Sequence, residues 1–559
     1  MTNEANGKLD EGISDEDVAR LLAALAEAER ATAAESVMRF VPPRPAILEE
    51  ASARRHQFVF GRRGVGKTTL LRRVAAGGSD SGRAVIFIDI ETLRGRPYPD
   101  VLIELLGELL QHLEARLEEG GWKPRWKRRK LLGRGRGLAD AMGLLLREPQ
   151  SAEHTISTLR DQSMRKSSRR SFGGGVRLAL QRRGTSVDVA AAGGATRAGE
   201  VGEQSEAKVE AKFEKTKMDG LSEAAILIRD VLNDAQKELG VPTLVVLDDF
   251  YHIALDDQPE VLAYLHQVVK DLDINLKICG VRHRLKPFRD GDPPVGMQPR
   301  HDAATISLDI TLERFDVARQ FLEQVLAGIC EPLGIEIDGL LTAGGRERLV
   351  LASGGVARDY LSLARTALRN STERPSYQYR LKNRITAEDV AQAARDLYEQ
   401  KQEELKHDAG DEAEALRSRL SEIVKFCVET NGTNVFLVET TKLQEEAWGK
   451  EVQALTDLRL IHRVDTLSTK RGGETYPGRR FAAFTLDLST WTSTRAERIR
   501  PINFWEQGGR QKIREPKFIY TPERAAAVAL VGTSQAVTTS PLAEDEQLSF
   551  DDVAPEDEE

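Results

Sequence analysis

The eight residues Gly61-Arg62-Arg63-Gly64-Val65-Gly66-Lys67-Thr68 constrain this chain more than any other stretch of it. They fit the pattern GxxxxGK[ST] in full, and the context is the one its mechanism requires. The apolar run His56–Phe60 reads as a short strand leading into the loop, and a helical pattern continues to about Ala76. In that arrangement the glycines let successive backbone N–H groups converge on one anion, and the helix N-terminus adds its positive end. Gly61, Arg62, Arg63, Gly64, Val65, Gly66, Lys67, Thr68 and Thr69 are therefore expected to cradle the phosphates of a nucleotide. Lys67 is expected to reach the β- and γ-phosphates of ATP, and the Thr68 hydroxyl to hold Mg2+.

Such a site also needs acids. Thr243-Leu244-Val245-Val246-Leu247 is a continuous apolar run that ends in Asp248-Asp249. A buried strand of this kind delivers carboxylates at its carboxyl end, where ligands sit in open α/β sheets. Asp248 is expected to hold the magnesium through water, and Asp249 to orient or deprotonate the attacking water. Further strand patterns at Ala84–Ile90, Leu276–Gly280 and Thr305–Asp309 alternate with helical ones at Tyr98–Glu118, Ser222–Leu239 and Pro259–Asp271. The expected class is α/β, with a parallel sheet covered on both faces.

With 559 residues the chain exceeds one ordinary core, so three or four domains are expected. Its apolar runs are strand-sized, which predicts no membrane span. The polar, acidic N-terminus shows no secretory signal. Cys279, Cys330 and Cys427 match no metal spacing, and so sparse a set suits buried apolar positions in a reducing cytoplasm. The net charge of −8 conceals an asymmetry: Trp122–Gly184 holds 17 Lys and Arg against 4 Asp and Glu. Either this basic island meets a polyanion such as DNA, or it is a solvated segment whose cations pair with the acidic surface.

The chain divides by pattern into an N-terminal helical segment (1–38), an α/β core (39–120 and 219–311), a basic Gly/Ser-rich insertion (121–218), a helical lid (312–408), a smaller α+β domain (409–492) and a mostly disordered acidic tail (493–559). The insertion shows little periodicity beyond a candidate hairpin around Arg183-Gly184. The lid pattern breaks at Gly334, Gly344-Gly345 and Gly354-Gly355. Residues 412–490 read as three helices followed by two strands.

This order of phosphate loop, acidic strand, further strand and helical lid resembles an AAA+ ATPase. It is most similar to the origin-recognition or initiator branch and to the STAND ATPases, over about Phe40 to Leu397 and again in the C-terminal domain. The resemblance implies ATP and Mg2+ as cofactors, hydrolysis to ADP, and assembly into a homo-oligomer. It also implies a sensor after the strand that ends at Gly280. STAND proteins usually carry Thr-Thr/Ser-Arg there; Arg282 matches, whereas Gly280-Val281 departs, and a plain surface arginine is the other reading. In Gly354-Gly355-Val356-Ala357-Arg358-Asp359-Tyr360-Leu361, Arg358 fits the second sensor of initiator-type members, with a helix-surface ion pair as its alternative. Arg300, Arg284 and Arg289 compete as an arginine finger.

The C-terminal pattern resembles a winged helix, with Gln444–Leu460 as recognition helix and Lys470, Arg471, Arg479 and Arg480 on the wing. Such modules contact DNA or pack on protein. In the insertion, Lys127, Arg128, Arg129 and Lys130 beside Trp122 and Trp126 suit phosphates and an exposed base; equally, the tryptophans anchor a loop on the domain. Two functional expectations follow: an ATP-switched oligomer acting on or near DNA, or a STAND-like signalling ATPase, for example in phage defence, whose output is assembly with a protein effector.

Overall fold

The computed structural model describes residues 13–29, 40–80, 82–119, 125–147, 151–160, 180–182, 185–187, 207–374, 381–409, 412–468, 479–492 and 499–526. The chain forms two compact units. One comprises Ala31–Gly61 and Gly66–Leu308; the other comprises Met1–Arg30, Arg62–Val65 and Asp309–Glu559.

In the first unit the strands run β1 (Gln57–Phe60), β2 (Ala84–Asp89), β3 (Ser151–Arg160), β4 (Leu180–Arg182), β5 (Thr185–Val187), β6 (Ala207–Thr216), β7 (Thr243–Asp248), β8 (Ile274–Gly280), β9 (Phe288–Arg289), β10 (Val295–Gly296) and β11 (Ala304–Ser307). Five of them form a parallel sheet in the order β11-β1-β8-β7-β2. Every residue of β1 and β7 is buried, as continuous apolar strands demand when helices cover both faces. Phe60 lies level with Gly280 and Ser307, and Asp89 level with Asp248, so the carboxyl ends share one edge. The acid-bearing β7 does not touch β1, because β8 runs between them. The expected α/β class and parallel sheet are found.

The insertion departs from expectation. Residues 125–147 form one long helix, Arg125–Arg147, despite Gly133, Gly135, Gly137 and Gly143, each of which costs about 1 kcal/mol in a helix interior. Leu131 and Met142 are buried in the core of the first unit, and that packing outweighs local propensity. The next segment forms a four-stranded sheet, β5-β4-β3-β6. β3 and β6 pair antiparallel along ten residues, from Ser151 opposite Thr216 to Arg160 opposite Ala207. The turn expected at Arg183-Gly184 lies outside the described residues; the strands on either side of it, β4 and β5, pair antiparallel, with Arg182 opposite Thr185. The helix Lys217–Leu239 starts earlier than its apolar pattern, because Thr216 and Asp219 form a capping box.

The second unit contains helices Asp15–Ala28, Phe315–Cys330, Ile337–Leu340, Ala343–Ser353, Ala357–Thr372 and Ala387–Ala409. Gly334 and Gly354 end their helical segments in left-handed conformation, at φ 74° and 57°, as expected of breaks. Gly344 and Gly345 do not break the pattern. They lie in the first turn of Ala343–Ser353, where the Thr342 hydroxyl accepts the Gly345 N–H.

After the lid, Ala413–Val424 continues as a π turn through Lys425–Thr430. Then come β12 (Val435–Glu439), helices Thr440–Glu445 and Ala447–Asp457, β13 (Ile461–Ser468) and β14 (Arg480–Leu486). The order is thus helix, strand, helix, helix, strand, strand, with an antiparallel β12-β14-β13 sheet. Two expectations are corrected here. The segment Val435–Glu439 is a strand, and the single helix expected over Gln444–Leu460 is interrupted at Glu446, which is extended at φ −85° and ψ 144°. Gly449 allows that corner, because a Cβ there would collide with the Lys442 carbonyl.

Candidate nucleotide site

The loop leaves β1 at Gly61, whose amide donates to the Gly280 carbonyl at 3.2 Å. Gly64 and Gly66 take φ of 84° and 92°, a region that L side chains rarely adopt. Gly64 is constrained twice over, since a Cβ there would lie 2.8 Å from the Arg358 Cβ. The helix Lys67–Asp80 starts directly after, with the Leu70 N–H donating to Gly66. Lys67 is buried, and its ammonium donates to the Gly61 carbonyl at 3.0 Å.

Arg62 has a distinct role. Its amide donates to Asp309 Oδ1 at 2.8 Å, and its guanidinium to Asp309 Oδ1, to the Ile310 carbonyl at 2.7 Å and to the Gly354 carbonyl at 3.0 Å. At 4% exposure it is committed to the chain's own oxygens. The expectation set Arg62 among the phosphate-cradling residues; its hydrogen bonds instead hold the tip of the loop.

Asp248 ends β7 and is buried. Asp249 follows at φ 49° and ψ 42°, a left-handed conformation uncommon outside glycine, and its amide turns back to Asp248 Oδ1 at 3.0 Å. This turn brings ligand atoms of Asp248, Asp249 and Cys279 within 4.8 Å of one another. Magnesium favours oxygen donors, so the two carboxylates suit it and the thiol does not. Burial, and then the Asp248 charge, push the Cys279 thiol well above its ordinary value, which keeps it protonated. On donor chemistry, Asp248, Asp249 and Thr68 fit a hydrated Mg2+.

Asp249 also converges with Glu91 and His252 within 4.8 Å. Sequence reasoning did not place Glu91 at the site. The usable signal was the parallel register, because Glu91 lies just past the end of β2 and β2 runs level with β7.

Arg282 follows β8, between the strand that carries the loop and the strand that carries the acids. Its exposed guanidinium lies 4.7 Å from the centre of the Phe60 ring. Of the finger candidates, Arg289 is held by Glu260 at 2.5 Å, Arg284 is half-buried and Arg300 is exposed at φ 73°. In the second unit Arg358 is exposed, and its amide donates to the Gly64 carbonyl at 3.1 Å.

The described part of the basic island favours the acid-pairing reading. Arg134 pairs with Asp234 at 2.5 Å, Arg136 with Glu114 and with Glu118 at 2.8 Å, and Arg128 approaches Glu238 at 3.8 Å. Arg129 and Lys130 remain exposed. Arg479 pairs with Glu439 at 3.2 Å, and Arg480 is exposed. Trp122, Lys470, Arg471, the side chains of Trp126 and Lys127, and the acidic end of the tail lie outside the described residues. The three cysteines are buried, and among the described residues no helix is long and apolar enough to cross a membrane.

Residues 23–78 match the family model described as ORC-CDC6-like, a stretch that includes the entire phosphate loop. Over those residues the resemblance to origin-recognition AAA+ ATPases is borne out. No curated protein matches the chain. Among solved structures, Orc1 of Aeropyrum pernix in complex with DNA aligns at 13% identity over 83% of this chain and 94% of that one, with a TM-score of 0.31. Cdc6p of Pyrobaculum aerophilum aligns at 13% identity over 82% and 96%, also at 0.31. A RuvB point mutant of Thermotoga maritima aligns at 13% identity over 45% and 90%, at 0.20. The fold described above rests on the chain's own sheet order and register.

Proposed function

We propose that this chain is an ATP-binding and ATP-hydrolysing AAA+ switch that uses Mg2+, assembles as a homo-oligomer and acts on or near DNA. The observation that carries the ATPase reading is the sheet edge of the first unit. There Lys67 at the helix start and the paired Asp248 and Asp249 carboxylates are delivered by strands with only β8 between them. Mg2+, when bound, would supply charge neutralisation for the phosphates. Lys67 exchanges its bond to Gly61 for β- and γ-phosphate oxygens. Asp248 would hold the ion through water. Asp249, aimed by its left-handed backbone, accepts a hydrogen bond from the attacking water and takes its proton. Arg282 meets the charge that develops on the γ-phosphoryl group, and Arg358 serves as second sensor.

The DNA part of the proposal is supported by the ORC-CDC6-like match and by the helix, strand, helix, helix, strand, strand order of the C-terminal module, which is that of a winged helix. A STAND-like switch whose output is a protein effector, for instance in antiviral defence, is the second reading. The ion pairs that occupy Arg134 and Arg136 favour it, because arginines spent on Asp234, Glu114 and Glu118 are withdrawn from a polyanion. ATPase rate measured with and without double- and single-stranded DNA, together with the mass of the assembly in ATP, separates the two. DNA-stimulated turnover supports the first reading; assembly in ATP with no DNA retention at low salt supports the second. Absence of any ATPase sinks both.

A further inference from the structure

We infer that His462, in the C-terminal module, is a positioning residue for the phosphate-binding loop, acting through the Gly354 turn and Arg62. The inference rests on the reading of Gly61 to Thr69 as that loop, and every contact in it lies within the second unit.

The chain of contacts starts at the loop tip. Arg62 donates to the Gly354 carbonyl at 3.0 Å and to the Ile310 carbonyl at 2.7 Å, and the Gly64 carbonyl receives the Arg358 amide at 3.1 Å. Both attachments converge on the short turn that joins helices Ala343–Ser353 and Ala357–Thr372. Gly354 and Gly355 in that turn have φ of 57° and 84°, so its shape is a specific left-handed pair. On its far side the turn meets the His462 ring so closely that a Cβ on Gly354 would overlap the imidazole.

The ring has little freedom to give way. It is 2% exposed, and its Nε2 is 2.7 Å from Asp487 Oδ2. Asp487 in turn accepts from Lys401 at 2.8 Å and from the Ser489 amide at 3.0 Å. Lys401 also donates to the Arg459 carbonyl at 3.3 Å. A buried and extensively bonded group behaves as a rigid stop, since displacing it would strand charges away from water. His462 thus backs Gly354, Gly354 holds Arg62, and Arg62 sets the tip of the loop. Removing the ring frees the turn to relax, and the amides that should face phosphate lose their fixed spacing.

The test measures MgATP affinity and steady-state ATPase on the full chain. His462→Ala should weaken ATP binding and raise KM about tenfold with kcat changed far less, the pattern of lost positioning in the ground state. His462→Gln, which retains a donor for Asp487 and most of the volume, should recover much of the loss. Gly354→Ala should weaken ATP binding on its own. Combined with His462→Ala it should cost less than the two losses together, because the new methyl fills the space the ring left.

Asn434→Ala is the control. Asn434 bonds Thr485 in the same module and the Ile502 amide in the segment that follows it, so its loss should lower thermal stability without moving KM. An Asn434 variant that raises KM as far as His462→Ala at equal loss of stability overturns the positioning role. So does an unchanged KM in His462→Ala or a fully additive double variant. A wild-type chain that fails to bind ATP at all overturns the loop assignment itself, which is a distinguishable outcome. Should His462→Ala not fold, Gly354→Ala and His462→Gln still decide the matter.

Discussion

The Lys67 ammonium sits 3.0 Å from the carbonyl of Gly61, six residues back along its own loop. The loop therefore curls around its lysine, and the cation is pointed inward. On the proposed ATPase reading, phosphate oxygens would take the place of the Gly61 carbonyl with little rearrangement, which is how pre-organised sites reduce the cost of binding.

Lys67→Ala should accordingly abolish tight MgATP binding, with affinity lower by at least about 100-fold. Equilibrium titration with MgATP checks this, and unchanged affinity would remove Lys67 from the site.

Binding and chemistry should separate at the acid pair. Asp249→Asn keeps the shape and the left-handed turn but removes the proton acceptor, so ATP should bind while turnover falls at least about 100-fold. Asp248→Asn should weaken binding and its Mg2+ dependence together. Single-turnover hydrolysis across a Mg2+ series reads both. Normal turnover in Asp249→Asn would shift the role to Glu91 or His252, which share its 4.8 Å cluster.

The basic island should divide by ion pairing. Arg129 and Lys130 are exposed, whereas Arg134 and Arg136 are held by acids. If DNA binds there, replacing Arg129 and Lys130 with Ser should reduce affinity and flatten the slope of log K against log salt by about 2, because two fewer phosphates are neutralised. Replacing Arg134 should leave that slope unchanged. Equal effects from both sets would refute the division.

His56 should make the fold sensitive to acid. Burial, with His266 and Lys277 adding to it, pushes its imidazole down to about 4, and Nδ1 accepts the Leu276 N–H at 3.1 Å. In the unfolded chain the same ring titrates near its ordinary value of about 6.5. Between those values the unfolded state binds the proton and the folded state does not. The contribution is thus intact above about pH 6.5 and is lost as pH falls toward 4, on the order of 2 kcal/mol in all. His56→Asn keeps an acceptor but cannot titrate, so thermal midpoints at pH 8 and pH 5 should lie closer together in the variant than in the wild type.

Short-range features were legible in the sequence. The loop, the strand before it and the helix after it are coded in one continuous stretch, Gln57 to Asp80, and the run from Thr243 to Asp249 declares both its burial and its acids. The α/β alternation and the helical lid followed from hydrophobic period alone, because a strand or helix face is set by neighbours two to four residues away. Gly334 and Gly354 read correctly as stops. Gly344 and Gly345 did not, since the Thr342 cap that holds them inside a helix outweighs their intrinsic preference.

What tertiary structure decided lies at long range. The pairing of β3 with β6 joins segments separated in sequence by β4 and β5, and no local period announces it. The helix Arg125–Arg147 exists because Leu131 and Met142 reach a core built from other strands and helices. The convergence of Glu91 and His252 on Asp249 required the sheet register and one left-handed backbone angle. Arg62 looked like one more loop residue, yet its partners Asp309, Ile310 and Gly354 lie hundreds of positions onward. A motif specifies which groups are present at the site. Which of them face a ligand and which are spent holding the fold is determined by distant atoms, because a buried donor must find an acceptor wherever the folded chain brings one.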